Sequence, residues 1–231
     1  MPEDSALLLT GDGSHSLRSQ QFGVSYHSTH GALQESRHIF IDAGLQPLLT
    51  DETATLRILE MGFGTGLNAL LVRLVARQYP RTSFDYTSYE QYPITSERAR
   101  SLNYPQLLSL ETSDLLQLHD APWGEVISLE DNFTFTKRRE DFLSIDGNSQ
   151  RPYDLIFYDA FAPETQPDLW TEAAMQVCAQ RLRPGGTLVT YCAKGQFKRS
   201  LRAAGFTVEA LPGPIGKREI TRATLSACEI G

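Results

Sequence analysis

The chain has 231 residues, 41% of them hydrophobic and 21% charged, with a formal net charge of −7. That length holds one well-buried α/β domain with an appendage, and two full domains would be crowded. No segment reaches the roughly eighteen uninterrupted apolar residues of a membrane span, the Met-Pro-Glu-Asp-Ser start lacks the basic opening of a signal peptide, and Cys178, Cys192 and Cys228 are too scattered for a disulfide set or a zinc site.

The expectation is a reduced cytoplasmic protein with no membrane contact. Its charge is unevenly spread. From Arg181 to Arg222 there are nine basic residues and two acidic ones, a local balance of +7 against −14 for the remainder. Such a surface could grip phosphate on one side, or could simply be a solvated charged face.

In chain order, Leu7 to Thr10 and His15 to Arg18 flank Gly-Asp-Gly, which predicts a β-hairpin. From Phe22 to Leu45 polar and aromatic residues mix around Gly31 and end in the strand-like His38-Ile39-Phe40-Ile41. Residues 1–50 are therefore expected to form a small β-rich accessory segment ahead of a domain spanning 51–231. His27, His30 and His38 are irregularly spaced for a metal, and no metal site is expected.

Arg57 to Leu71 reads as strand, tight turn and helix, the helix continuing to about Gln78. Glycines at 62, 64 and 66 follow Glu60, so a ligand can lie against bare main chain at a helix N-terminus. A dinucleotide fingerprint would need its third glycine at position 67, which is Leu67. Glu-x-Gly-x-Gly-x-Gly is instead the pattern of the S-adenosylmethionine loop in Rossmann-like methyltransferases; a ligand-free glycine-rich turn or a nucleotide loop are the alternatives. Glu60, Gly62, Phe63, Gly64, Thr65, Gly66 and Asn68 are the candidate cofactor residues.

Ser83 to Glu90 is the expected second strand, with Glu90 at its tip, where a carboxylate can accept hydrogen bonds from both hydroxyls of a ribose. A plain surface acid is the alternative. Thr95 to Leu102 reads as a short helix, Asn103 to Asn132 as an irregular excursion holding little core, and Phe133 to Arg139 as a half-exposed strand. An acid just beyond that strand is the adenine-contact candidate: Asp141, with Glu140 the alternative.

Tyr153 to Ala160 is a nearly continuous apolar strand, as in a parallel sheet buried on both faces, and it ends at Asp159. Asp168 is expected to cap a helix from Leu169 to Leu182. Arg183-Pro-Gly-Gly then reads as stop and turn before a strand, with a helix over Gln196 to Ala204 and strands over Phe206 to Leu211 and Glu219 to Leu225. The alternation predicts an α/β fold: a Rossmann-like, doubly wound, mainly parallel sheet with an antiparallel strand near its end.

In open α/β sheets ligands lie beyond the carboxyl ends of the strands, so Gly62, Glu90, Asp141 and Asp159 should converge on one crevice. Methyl transfer from a sulfonium is an in-line displacement whose catalysis is mostly positioning. A nitrogen acceptor must also be neutral when it attacks. Asp159 is suited to orient an amine and take its proton, directly or through water; it could instead hold the cofactor or cap a turn. Phe161 could stack on an acceptor base or simply pack.

Glu60-Met-Gly-Phe-Gly-Thr-Gly-Leu-Asn68, Ser88-Tyr-Glu-Gln-Tyr-Pro93, Asp159-Ala-Phe-Ala-Pro163 with Pro167-Asp-Leu-Trp170, Arg183-Pro-Gly-Gly-Thr187 and Gly216-Lys-Arg-Glu219 occur in that order. Together they resemble the methyltransferase module of the bacterial enzymes that complete 5-methylaminomethyl-2-thiouridine at the tRNA wobble position (MnmC), and the likeness covers nearly the whole chain. The resemblance implies S-adenosyl-L-methionine as cofactor and methylation of the primary amine of 5-aminomethyl(-2-thio)uridine, with Asp159 near the reacting amine and Glu90 on the ribose. It further implies the stand-alone form (MnmD), since the chain stops at Gly231, with a separate oxidase supplying the amine. The anticodon stem-loop of tRNA is the implied partner, and Lys194, Lys198, Arg199, Lys217 and Arg218 are its candidate contacts; Lys217 and Arg218 could equally lock the last strands together. Asp141 lacks the preceding Gly-Asp expected at the adenine contact. The competing readings are a small-molecule or protein N-methyltransferase of the same fold, or a non-catalytic adenosylmethionine-binding protein.

Overall fold

A computed structural model of the chain describes residues 7–144 and 152–227. Its centre is an eight-stranded sheet in which β3 (Thr55–Met61), β4 (Ser83–Tyr89), β6 (Phe133–Arg138), β7 (Tyr153–Tyr158) and β8 (Leu182–Thr190) run parallel. Antiparallel strands finish both sides: β5 (Val126–Glu130) beside β6, and the pair β9 (Phe206–Pro212) and β10 (Glu219–Leu225) beside β8, in the order β5-β6-β4-β3-β7-β8-β10-β9. The expected hairpin is present as β1 (Leu7–Leu9) and β2 (His15–Leu17).

Both faces of the sheet are covered, which is why its central strands are apolar almost throughout. Ile58, Leu155 and Phe157 point to a core shared with α2 (Leu67–Gln78), while Leu59, Met61, Ile156 and Tyr158 point to the other, packed by α6 (Glu172–Arg181) and α7 (Gly195–Ala203). Among the described residues no helix is long and apolar enough to cross a membrane.

Four local expectations are corrected. His38 to Ile41 is not a strand: Arg37–Leu45 is a π-helix that follows α1 (Ala32–Ser36) and buries Ile39, Phe40 and Leu45. A short apolar run does not distinguish strand from buried helix; contact with the sheet decides it, Phe40 lying 5.1 Å from the Phe157 ring. The stretch 103–132 is not an irregular excursion. After α3 (Ser96–Arg100) it holds α4 (Tyr104–Leu107), α5 (Thr112–Asp120) and β5, and Leu115 and Leu118 of α5 are fully buried beneath a capping box made by Glu111 and Asp114.

Strand β6 is interior, not half-exposed: Phe133, Phe135, Thr136 and Lys137 are all buried. Helix α6 starts later than expected, because Pro167–Trp170 forms a separate 3₁₀ turn and the side chain of Thr171, not Asp168, accepts the capping bond from the Ala174 N–H.

Residues 7–50 share the core of the sheet, since Leu17, Ala32, Ile39, Phe40 and Leu45 all belong to the cluster containing Ile58 and Phe157. Phe40→Ala should therefore lower global stability by about 3–5 kcal/mol in a single denaturant transition. Two separated transitions, with the second unchanged, would show that the first fifty residues fold as a unit of their own.

Candidate active site

The site is set by where three parallel strands stop. Met61 is in register with Tyr89 on one side and Tyr158 on the other, so Gly62, Glu90 and Asp159 each fall one position beyond the same rung. The last ladder bonds hold them there: the Gly62 N–H donates to the Tyr89 carbonyl at 3.0 Å, the Asp159 N–H to that of Met61 at 3.0 Å, and the Glu90 N–H to that of Arg138 at 2.9 Å. Gly62 has φ 95°, and a Cβ there would meet the Asp159 carbonyl oxygen at 2.6 Å, so the turn accepts only glycine without rearrangement.

These ends open onto a cavity of about 780 Å³. Gly62, Phe63, Gly64, Thr65, Asn68, Glu90, Asp141, Asp159, Phe161 and Lys217 border it. Glu60 and Gly66 do not. Glu60 is fully buried behind the loop, where the Ser88 hydroxyl donates to its Oε2 at 2.6 Å, and Gly66 caps the N-terminus of α2. Glu140, the alternative to Asp141, also borders the cavity; Asp141 itself accepts the Leu143 N–H at 3.1 Å and so braces the turn Phe142–Ser144.

Glu90 receives the Gly64 N–H on Oε2 at 2.9 Å and the Tyr92 N–H on Oε1 at 2.7 Å, which ties the tip of β4 to the glycine loop. Each oxygen keeps a further lone pair for a hydroxyl. Asn68, in the first turn of α2, donates from Nδ2 to Asp159 Oδ2 at 2.9 Å. Beyond Asp159 the chain is braced three times: the Phe161 N–H donates to Gln166 Oε1, the Trp170 Nε1–H to the Phe161 carbonyl at 2.8 Å, and the Tyr191 hydroxyl to the Ala160 carbonyl at 2.8 Å.

Sequence reasoning missed the cavity's other wall, which comes from the first fifty residues. Phe22 and Tyr26 each lie 5.1 Å from the Phe161 ring, and Glu35 faces in from α1. The aromatic spacing in Phe22-Gly-Val-Ser-Tyr26 was a usable signal; Glu35 had none, because its partner is Lys217. Of the five candidate cations Lys194 precedes α7, Lys198 and Arg199 lie on it, and Lys217 and Arg218 sit in the β9–β10 connection, but several are engaged. Lys194 pairs with Glu164, Lys198 with Glu219 at 2.7 Å and Lys217 with Glu35 at 2.5 Å, and Arg199 donates to Gln196 at 2.6 Å; Arg218 is exposed.

Removal from water dominates the electrostatics. It pushes Glu60 up to about 8, against the Ser88 hydrogen bond and with help from Asp159. Asp159 is held at about 7 by the same desolvation together with the Glu35 carboxylate, opposed by Asn68 and Lys217. Among the described residues Glu60 Oε1 and Asn68 Oδ1 have no hydrogen-bond partner, and no group of three or more His, Cys, Asp or Glu is placed to hold a metal.

Residues 133–226 match a family model described as S-adenosyl-L-methionine-dependent methyltransferase. Among curated proteins, the tRNA 5-methylaminomethyl-2-thiouridine biosynthesis bifunctional protein MnmC of Aromatoleum aromaticum is 32% identical over 96% of this chain and 36% of its own length. The protein of the same name from Chromobacterium violaceum is 31% identical over 88% of this chain and 32% of its own. The chain thus spans about a third of the length of the curated relatives it matches. Among solved structures, MnmC2 of Aquifex aeolicus superposes with a TM-score of 0.76 at 27% identity, covering 98% of this chain and 72% of that one.

The site fits an adenosylmethionine, which carries a sulfonium and an ammonium. Bare main chain flanks the cavity at Gly62, the Glu90 and Asp159 carboxyls border it, and so does Asn68, whose Oδ1 is unpartnered. A cation bound beside Asp159 would lower the pH at which it ionises, so binding should release a proton and should tighten as pH rises to about 7, then level off. Calorimetry in buffers of different ionisation heat measures the release, and Asp159→Asn should abolish it; proton uptake would contradict this electrostatic picture.

Proposed function

We propose that this chain, which belongs to the class I S-adenosyl-L-methionine-dependent methyltransferases, methylates the primary amine of 5-aminomethyl(-2-thio)uridine at the wobble position of tRNA, giving 5-methylaminomethyl(-2-thio)uridine. The observation that carries the reading is Asp159 standing in one cavity between the glycine loop and the Phe22, Tyr26 and Phe161 rings. One side is built for a cationic donor and the other for a flat acceptor that ends in an amine.

In this reading Gly62, Phe63, Gly64, Thr65 and Asn68 hold the donor's methionine end, Glu90 takes the ribose hydroxyls, and Asp141 or Glu140 closes the adenine end. Glu60 and Gly66 act from behind by shaping the loop. When bound, the donor supplies a methyl group on a positively charged sulfur. The remaining requirement falls on the acceptor. An ammonium has no lone pair, so its proton must leave before nitrogen can form the new N–C bond. Asp159 in its carboxylate form takes that proton, directly or through water, and becomes the neutral acid; a value near 7 leaves both forms populated at neutral pH.

Single-stranded bases are read by stacking on aromatic side chains, and Phe22, Tyr26 and Phe161 offer such faces at the mouth. The basic segment 181–222 supports a phosphate backbone passing on that side, with Lys194, Lys198, Arg199 and Arg218 as contacts to the anticodon stem-loop. The names of the MnmC relatives support the uridine substrate. A separate oxidase would make the amine, and the unbonded, buried Cys178 and Cys192 fit a reducing, cytoplasmic setting.

Incubating the protein with donor and undermodified tRNA, followed by nucleoside analysis, should convert aminomethyl to methylaminomethyl nucleoside; unchanged aminomethyl nucleoside would refute the substrate. Asp159→Ala should still bind the donor, with the weaker affinity of the wild type at low pH, and lose about 10²- to 10⁴-fold in turnover at saturating donor, an outcome that a purely adenosylmethionine-binding protein could not give. A small-molecule or protein methyltransferase would lack the salt sensitivity expected for tRNA, roughly a hundredfold loss of affinity between 50 and 200 mM salt for about four phosphate contacts.

A further inference from the structure

Glu35 and Lys217 come from the two ends of the chain and meet at the cavity. Their side chains are 11% and 26% exposed, and Oε1 lies 2.5 Å from Nζ. Neither is loosely held. Glu35 accepts the Ser28 N–H on its other oxygen at 2.9 Å, and the Lys217 ammonium lies 4.1 Å from the centre of the Tyr191 ring. Tyr191 in turn donates to the carbonyl of Ala160, the residue next to Asp159.

The loop that presents Lys217 is fixed as well. Gly216 has φ 85°, and a Cβ there would meet the His30 ring at 2.1 Å, so the loop packs directly on the N-terminal segment. A little further along, His38 Nε2 lies 2.9 Å from the Pro212 carbonyl.

A largely buried ion pair contributes little to stability, because desolvation offsets its attraction. This one is placed at the reacting end of the cavity: Glu35, Lys217 and Asp159 all border it, and the Lys217 ammonium rests on the ring whose hydroxyl holds the Ala160 carbonyl. The groups that face Asp159 are Asn68 from α2, Glu60 at the end of β3, Tyr86 from β4, Tyr191 after β8, Glu35 from α1 and Lys217 from the β9–β10 loop. Lys217 is the cation of this set, and Glu35 opposes it.

We propose that the Glu35–Lys217 pair is a positioning element of the transfer site: set in the cavity wall and tied through Tyr191 to the residue after Asp159, it fixes the local charge in which Asp159 takes the acceptor's proton. The inference rests on reading Asp159 as the proton acceptor and gives Lys217 a role inside the cavity rather than on the tRNA face. The direction of each charge's influence on Asp159 agrees, Glu35 raising and Lys217 lowering the pH at which it ionises.

The test is a carboxyl ¹³C NMR titration of the ligand-free protein labelled at aspartate, with Asp159→Asn identifying the resonance. Lys217→Met should move the Asp159 midpoint up and Glu35→Gln should move it down, each by roughly half a pH unit or more, while Lys217→Arg should restore the wild-type midpoint. If both variants only lower the melting temperature and leave that midpoint in place, the pair is a structural tie and the proposal fails. Should Lys217→Met not fold, Lys217→Gln carries the same expectation. If the midpoints shift as stated but wild-type protein leaves aminomethyluridine unmethylated, the substrate reading falls and the role of the pair stands.

Discussion

Three neighbouring parallel strands ending on the same rung is the constraint on which the site depends. Because β4, β3 and β7 are in register at Tyr89, Met61 and Tyr158, the next residue of each strand emerges at one level. A one-residue slip would turn each of those side chains to the opposite face. The register is in turn secured by apolar burial on both sides of the sheet, with Ile58 and Phe157 on one face and Leu59 and Ile156 on the other. Packing far from the cavity thereby fixes the spacing of the glycine turn, Glu90 and Asp159 to within a hydrogen bond.

That arrangement costs stability. Glu60 and Asp159 are taken out of water without a full complement of partners, and the shifts to about 8 and about 7 express the penalty of ionising them there. For both groups the stabilising form is the protonated one, so their contribution is present at low pH and is lost as pH rises through those values. Such unpaired acids are tolerable in a site that receives a cation, and the segment after Asp159 is braced by Gln166, Trp170 and Tyr191 as if to prevent it from relaxing.

What was legible in the sequence was local. The glycine loop announces itself by residue type and spacing, Glu90 stands at the end of an alternating stretch rich in aromatic residues, and Asp159 at the end of a nearly continuous apolar run. Helix α5 was missed because its capping box uses Glu111 and Asp114 instead of a serine or threonine, and the π-helix because Ile39-Phe40-Ile41 has no distinguishing period. Lys137 hid the interior position of β6: a lysine suggests an exposed strand, yet its ammonium donates to the His119 carbonyl and stacks 4.5 Å from the Trp123 ring centre. Of the wall built by the first fifty residues, the Phe22 and Tyr26 spacing was there to be read, but Glu35 was out of reach, since nothing near it in sequence names Lys217 as its partner.

The contacts between the first and last parts of the chain bear on synthesis. His38 reaches the Pro212 carbonyl across 174 positions and Arg222 reaches that of Ala43 across 179, alongside the Glu35–Lys217 pair. As the polypeptide leaves the ribosome, the strands carrying Gly62, Glu90 and Asp159 are available well before residue 217 emerges. Every named residue of the cavity except Lys217 is therefore synthesised before the final hairpin, and Glu35 meets its partner only once that hairpin folds back onto residues made at the outset.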